Sequence, residues 1–420
     1  IPAGVTANHL SCCLEVGQRL CIAARNQIDL SPGEEKQVII LLAESSDSTE
    51  LQKIYEKYSS PSYATQMLQN VKTFWKNLTE TVQVKTPDNS LDLMLNGWLL
   101  YQTLSCRIWG RSGYFQSGGA YGFRDQLQDS MGLLYAAPEL TRKQILKHAA
   151  HQFEEGDVQH WWHEEDREDT THKGIRTKMS DDFLWLPYVT AVYLSVTEDE
   201  SILSEMIPYL KAQELEEEDE RYFHPEKSEL QTDLYQHCLR AIRRSFRFGT
   251  HNLPLIGSGD WNDGMNRIGK KGKGESVWLG WFLIDVLNKF IPICEKFGDK
   301  DSAKEFQDVL NDLSTHINEN AWDGEWYRRA FFDDGSPVGS AMSTECKIDS
   351  IAQSWSVISG GGTKEYTAQA MESLKTHLID SEHGIVKLLT PPFEGKDKDP
   401  GYIANYLAGI RENGGQYTHA

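Results

Sequence analysis

The sequence predicts a mainly α protein: an α/α toroid preceded by the tail end of a β-sandwich and a helical linker. Three observations lead there. From Asp88 onward about ten segments repeat apolar residues at helical spacing, and the loops between them are rich in Gly, Trp, His and Asp. Residues 48 to about 84 carry two amphipathic runs, Leu51, Ile54, Tyr55 and Tyr58 and then Ala64 to Leu78, at the i, i+3, i+4, i+7 spacing of a helix. Residues 1–47 hold short β-branched stretches around a turn.

In chain order, Cys21 to Ala24, Gln27 to Leu30 and Val38 to Leu42 read as strands, with a turn at Ser31-Pro32-Gly33-Glu34. Two or three strands do not make an independent domain, so 1–47 is expected to be the end of a sandwich and 48–87 a helical linker. The barrel is expected over 88–420, with helices at Leu91–Cys106, Asp125–Ala136, Thr141–Gln152, Phe183–Val196, Asp199–Leu210, Asp233–Phe246, Val277–Phe297, Asp301–Ala321, Ser350–Ser359 and Lys364–Leu378. Thr141 and Ser350 look like N-caps, and Pro292 is expected to kink or split its helix. Trp326 to Phe332 before Asp333-Asp334-Gly335 reads as a β-hairpin.

The chain has 420 residues, a formal net charge of −20 and a sequence pI near 5.1. So negative a surface repels phosphate backbones and anionic lipid, which argues against nucleic-acid and membrane-surface partners. The seven cysteines, at 12, 13, 21, 106, 238, 294 and 346, form no Cys-x-x-Cys pair, so free thiols in a reducing cytoplasm are expected. The apolar run Val277 to Ile284 is broken by Asp285, Asn288 and Lys289 and reads as too short and too polar to span a bilayer. The chain opens at Ile1 without a Met and stops at Ala420, which suggests a piece of a longer polypeptide; the expected place is the cytoplasm, as the soluble part of a larger membrane-attached protein.

Asp260-Trp261-Asn262-Asp263-Gly264 carries the chemistry. The indole offers a flat face to a pyranose, the polar groups suit its hydroxyls, and a protonated carboxyl can donate to a glycosidic oxygen. An Asx turn is the plainer reading of the same residues. Gln116 to Asp125 places glycines ahead of Arg124 and Asp125 at a helix start, where Asp125 can accept sugar hydroxyls or simply cap the helix. Arg107 and Arg111, read as one turn apart, suit a phosphate or an acid-paired helix end. His160-Trp161-Trp162-His163 reads as a sugar-binding wall; a metal held by His160, His163 and Asp166 fits no strong zinc spacing, and none is expected. Ser180-Asp181-Asp182 reads as a helix cap and no more. In Arg411 to His419, the residues Glu412, Asn413, Gln416 and His419 surround a Gly-Gly turn and would be costly to bury without a ligand.

GAYGFRDQLQD (119–129), GDVQHWW (156–162), GSGDWNDGMNR (257–267), GKGESVWLGWF (272–282), ECKIDSIAQSWSV (345–357) and RENGGQYTHA (411–420) together resemble glycoside hydrolase family 94, the inverting β-glycoside phosphorylases. They look most like the phosphorylase-type region of cyclic β-1,2-glucan synthases. The resemblance implies an (α/α)6 barrel behind a β-sandwich and linker. It implies Asp263 as general acid, Trp261, Asp260, Arg124, Asp125, Glu412, Gln416 and Trp161 on the sugar, and His419 with Arg107 or Arg111 on phosphate. Inorganic phosphate is then a co-substrate, no cofactor is needed, and β-glucan or oligosaccharide is the partner. A homodimer is the weakly implied assembly.

Asp260 and the indole are expected to push the Asp263 carboxyl toward its protonated form. The Arg that cellobiose and chitobiose phosphorylases carry before the Arg-Asp pair is missing from Gln116-Ser117-Gly118-Gly119, so their disaccharide specificity does not transfer. The family's Thr-Gly phosphate loop, last barrel helix and small β domain fall beyond residue 420. Two other readings compete. One is an inverting glucoamylase-like hydrolase with Glu412 as base, roughly 6.5–9.5 Å from the acid. The other is a non-catalytic glucan-binding or length-sensing module.

Overall fold

The computed structural model describes residues 26–45, 47–111, 118–164, 171–216 and 219–417. The chain divides into two units, 1–76 and 77–420. In the first unit the Ser31–Glu34 turn forms, with Glu34 N donating to Ser31 O at 2.9 Å and Ser31 N to the Glu34 carboxylate at 2.9 Å. Gln27–Leu30 and Val38–Leu42 are not strands, because no described residue supplies a ladder and Ile40 and Leu42 stay exposed; Cys21–Ala24 lies outside the described residues. Helix α1 (Ser48–Tyr58) starts where Asp47 accepts from Thr49 N, and α2 (Pro61–Thr79) follows.

The second unit opens on a segment that alternates α turns (Asn89–Leu93, Leu99–Gln102) with π turns (Met94–Trp98, Thr103–Trp109). Then come β1 (Ala120–Gly122), α3 (Phe123–Met131), α4 (Pro138–Ala149), β2 (Gln159–His163), β3 (Gly174–Thr177), α5 (Trp185–Thr197), β4 (Met206–Lys211), β5 (Glu220–Phe223), β6 (Glu226–Asp233), α6 (Leu234–Arg244), α7 (Val277–Phe297), α8 (Lys300–Asn320), α9 (Ser350–Ile358) and α10 (Lys364–Leu378). Neighbours in sequence pack together: α3 on α4 and α5, α5 on α6 and α7, α7 on α8 and α9, α9 on α10. The core centres on α7, where Trp278, Trp281, Phe282 and Phe290 are buried. By length and composition α7 could cross a bilayer, contrary to the sequence reading; 78% of its most apolar window is buried inside the protein, which makes it a core helix.

The helix expected over Asp199–Leu210 is instead a 3-10 turn (Glu200–Ser204) followed by β4, which pairs antiparallel with β6. Pro208 explains the difference: it has no N–H for a helix, and it pushes Ile207 into the extended region. Thr141 is not a cap, because α4 begins at Pro138 and the Thr141 hydroxyl donates to Ser130 O at 2.7 Å. The cap of α9 is Asp349 rather than Ser350. Pro292 does not split α7, which runs continuously from Val277 to Phe297. The hairpin expected after Trp326 forms as Ala330–Phe331 against Pro337–Val338.

Strands β1, β2, β3 and β5 make one antiparallel sheet in that order. This sheet, the start of α3 and the loop 257–265 carry the site.

Candidate active site

Loop 257–265 is pinned from behind. Gly257 has φ +61, and a Cβ there would sit 2.1 Å from Lys178 O, so only glycine fits. Ser258 N donates to Lys178 O at 3.1 Å and Ser180 N to Gly259 O at 3.0 Å. Asp260 then turns inward and Asp263, three residues on, turns outward.

Asp260 is fully buried. Arg329 donates to both its oxygens at 2.6 Å, Ser276 Oγ donates at 2.6 Å and Asn262 N at 3.0 Å. Burial works against its charge, but Arg329 wins and holds the carboxyl below its usual range. The expectation that Asp260 binds sugar is therefore corrected: every oxygen is occupied inside the protein. The expected push of Asp260 on Asp263 also meets the Arg329 charge. Behind Arg329, at 3.4 Å, lies Asp349, whose carboxyl is pushed up to about 6 by burial against the pull of Arg329.

Asp263 opens a 3-10 turn, Asp263–Met265, set by the Asn262 side chain accepting from Gly264 N at 3.1 Å. Its side chain is 34% exposed. Oδ1 accepts from Arg124 Nη2 at 2.6 Å. Oδ2 lies 4.0 Å from His160 Nε2. Arg124 Nη1 reaches both oxygens of Asp181 at 3.1 Å and Asp260 O at 3.2 Å. Arg124 is only 6% exposed. It thus orients Asp263. His160, on β2, donates from Nδ1 to Asp182 at 2.7 Å. Burial alone would lower the His160 pKa; Asp182, then Asp263, outweigh it and raise it to about 9.

Asp181 and Asp182 were thus undervalued as a cap: one holds Arg124 and the Trp185 indole, the other holds His160. An adjacent acid pair before a buried aromatic was the available signal. Arg329 left no signal at all in the sequence.

The neighbouring residues fall partly as expected. At the start of α3 the Gln126 amide oxygen accepts from Gly122 N at 2.6 Å, and Asp125 stays exposed. A Cβ on Gly122 would meet Asp125 Oδ2 at 2.2 Å, so this glycine makes room for the carboxylate. Asp125, Trp161, His163, Arg107 and Arg111 line one recess of about 470 Å³. The two arginines do not get there by α-helical spacing. Thr103–Trp109 is π-helical, and Arg111 lies past it with φ +49. Arg107 donates to Asp129 at 2.7 Å, and Arg111 to Gly119 O at 2.8 Å while lying 3.6 Å from Glu164. Trp162, by contrast, is core, stacked on Tyr121 at 5.5 Å.

Trp261 is 8% exposed and packs edge-on against Tyr417 at 5.5 Å, so it offers a rim rather than an open stacking face. Tyr417 is pushed up to about 12 by burial and by the charge of Glu412, with Asp125 adding to it. Tyr402 is likewise raised, by burial and then by Asp263, with Glu412 contributing. The two tyrosines therefore tie Asp263, Glu412 and Asp125 to one electrostatic neighbourhood. Glu412 is also 3.2 Å from Arg411 Nε. Gln416 is exposed, and its carbonyl accepts from Val386 N at 3.1 Å. Asn413 is structural, its amide bridging Phe393 and Tyr406. Gln116, Asp166 and His419 lie outside the described residues. His163 Nε2 donates to Gly118 O at 3.1 Å, a partner separate from the His160–Asp182 pair.

With that geometry in place, comparison with known proteins decides the family. The glycosyl hydrolase 94 superfamily catalytic domain matches residues 74–420, and the glycosyl hydrolase 94 supersandwich domain matches residues 1–61. The chain belongs to glycosyl hydrolase family 94. Cyclic beta-(1,2)-glucan synthase NdvB of Rhizobium meliloti (strain 1021) is 44% identical over all 420 residues, which cover 15% of that protein. A 3-O-beta-D-glucopyranosyl-beta-D-glucuronide phosphorylase and a solabiose phosphorylase, both of Paenibacillus borealis, are each 29% identical over 95% and 99% of this chain. The chain spans about half the length of these phosphorylases, 48% and 50%. The curated relatives it matches include phosphorylases and a synthase.

Proposed function

We propose that this family 94 chain cleaves a β-glucosidic bond with phosphate and inversion, giving α-glucose 1-phosphate, or runs the same reaction in reverse. We take β-1,2-glucan as the substrate, because the relative at 44% identity is a cyclic β-(1,2)-glucan synthase. The catalytic unit is proposed to be an (α/α)6 toroid whose loops gather around Asp263. A place on the cytoplasmic side of a larger membrane-attached polypeptide is part of the same proposal.

One observation carries the reading. Asp263 has one oxygen tied to Arg124 at 2.6 Å, while its side chain stays 34% exposed and its other oxygen carries no hydrogen bond as short. Phosphate attacks the anomeric carbon from the face opposite the leaving oxygen. Asp263 gives its proton to that oxygen as the bond stretches toward an oxocarbenium-like state. Phosphate brings its own nucleophilic oxygen, so the site needs cations rather than a base. Arg107 and Arg111 beside Asp125 and Trp161 supply them in the recess, with His419 as the third group. Asp125 and Glu412 accept sugar hydroxyls.

The test is incubation with linear β-1,2-oligoglucans with and without phosphate. Phosphate-dependent α-glucose 1-phosphate supports the proposal. Phosphate-independent glucose release would move the chain to the hydrolase reading with Glu412 as base. Intact glucan binding with no turnover, unaltered by Asp263→Asn, would move it to the binding module.

A further inference from the structure

Glu345 lies between the hairpin at 330–338 and α9, away from the residues placed on substrate so far. Its Oε1 accepts from Glu394 N at 2.9 Å and from Lys396 N at 3.1 Å, which ties the loop 393–398 across to it. Its Oε2 is buried and meets no donor among the described residues, and only 8% of the residue is exposed. Anchoring the loop uses one carboxylate oxygen. The other has lost its water without gaining a partner, which is costly for a buried acceptor and calls for a donor from outside the chain.

Glu345 lines a cavity of about 260 Å³ between the hairpin and loop 393–398. The other walls suit a sugar. Phe332 and Phe393 supply ring surface, Ser336 and Ser343 hydroxyls, and Asp397 a second carboxylate. Asp397 is exposed and accepts from Thr344 Oγ1 at 3.2 Å through one oxygen, which leaves the other open. Aromatic surface takes the C–H face of a pyranose, and carboxylates accept its hydroxyls. An anionic ligand would meet Glu345 and Asp397 at close range. A simple cation would meet Lys398, which also lines the cavity and lies 5.6 Å from the Phe332 ring. A neutral polyol carries many O–H donors and meets neither repulsion.

The cavity adjoins the turn of the proposed acid. Loop 393–398 runs on into 399–405, where Pro400 O accepts from Arg267 N at 3.1 Å and Tyr402 N donates to Asn266 Oδ1 at 3.1 Å. Asn266 and Arg267 directly follow the Asp263–Met265 turn. Yet the cavity shares no lining residue with the recess of Asp125, Trp161, Arg107 and Arg111.

We propose that this cavity is a second carbohydrate site, which holds a glucosyl unit of the glucan apart from the unit at Asp263. The inference rests on the β-glucan reading above. Glu345 Oε2 and Asp397 accept hydroxyls of the bound unit, and Phe332 takes its C–H face. No bond is made or broken there. A chain long enough to occupy both sites is held at two points, so its local concentration at Asp263 rises without any new contact at the acid.

The experiment uses the full chain with ¹³C-methyl methionine and follows two methyl groups by NMR. Met342 lines the cavity and is 90% exposed, so it reports the second site. Met265 is buried in the turn that Asp263 opens, so it reports the first. Met342→Leu and Met265→Leu give the assignments. The probes are the β-1,2-linked glucose disaccharide and a long linear β-1,2-oligoglucan. Both methyls are expected to shift saturably, each with its own affinity for the disaccharide. Glu345→Gln, which keeps the acceptor for loop 393–398, and Asp397→Ala should each weaken the Met342 response about tenfold and leave the Met265 response as it was. Asp397 is a surface residue, so its variant keeps the test open even if Glu345→Gln melts early.

A Met342 methyl that stays silent, whatever Met265 does, overturns the proposal, as does a response that neither variant weakens. A response to ammonium chloride in place of sugar makes the cavity a cation site and overturns it too. The phosphorylase reading is decided separately, by phosphate-dependent release of α-glucose 1-phosphate. No turnover with an intact Met342 response sinks that reading and leaves the second site standing.

Discussion

Asp260 and Asp263 are three residues apart, and each meets an arginine at 2.6 Å. Their surroundings make them different chemical objects. Arg329 takes both oxygens of Asp260, with Ser276 and Asn262 closing the rest, and nothing is exposed. Arg124 takes one oxygen of Asp263, and the side chain stays 34% exposed. The pair at Asp260 is a strut that runs on to Asp349 and the start of α9. The pair at Asp263 is a mount. An arginine partner therefore does not by itself mark a carboxylate as structural or functional; the number of oxygens left over does.

The largest expected effect tests the mount. Asp263→Asn should cut phosphorolysis by about 10³-fold or more, with oligosaccharide affinity and melting temperature close to wild type. Loss of affinity or fold in parallel would make it a second strut. The converse experiment is Arg329→Met, which leaves Asp260 buried without its counter-charge. It should destabilise the chain by about 3–5 kcal/mol in urea titrations. A change under about 1 kcal/mol would remove the strut from the argument.

A third effect is pH-dependent. Burial holds the Asp349 carboxyl up to about 6, above the ordinary value of about 3.9. The folded chain then binds a proton there that the unfolded chain has released, so this group's contribution to stability falls as pH rises from about 4 through 6. Asp349→Asn should flatten the stability profile across that window, and an unchanged slope would place the Asp349 proton elsewhere.

Smaller still is Gly122→Ala, whose Cβ would strike the Asp125 carboxylate. It should weaken oligosaccharide binding about tenfold, the worth of one hydrogen bond to a charged group, with little change in kcat. Gln416→Ala is expected to stay within about twofold in every kinetic constant, because the amide serves Val386 at the surface. A large effect there would restore Gln416 to the sugar.

Much of this was legible in the chain. Helices α7 and α10 begin and end at the residues their apolar spacing indicated, because burial of an amphipathic or wholly apolar face is a local pattern. The hairpin after Trp326 was legible for the same reason, through its Asp-Asp-Gly turn. The helix expected over Asp199–Leu210 was not, since Glu205 and Pro208 hand the second half to a strand whose partner is β6. In the site, Asp263, Asp125 and Trp161 announced themselves by composition. Arg329 did not, and the adjacent pair Asp181 and Asp182 read only as a cap, because a buried charge becomes meaningful only beside its partner.

Sequence alone determined the turn chemistry of loop 257–265, the run of helices, and the presence of a carboxyl, an indole and an amide in one stretch. Tertiary structure decided which carboxylate would be locked away and which would face a substrate. The reason is distance along the chain: the arginine that fixes Asp260 comes from 69 residues away and the one that mounts Asp263 from 139. Local rules of backbone and side-chain spacing reach only a few residues, so that choice belongs to the packing of remote elements against one loop.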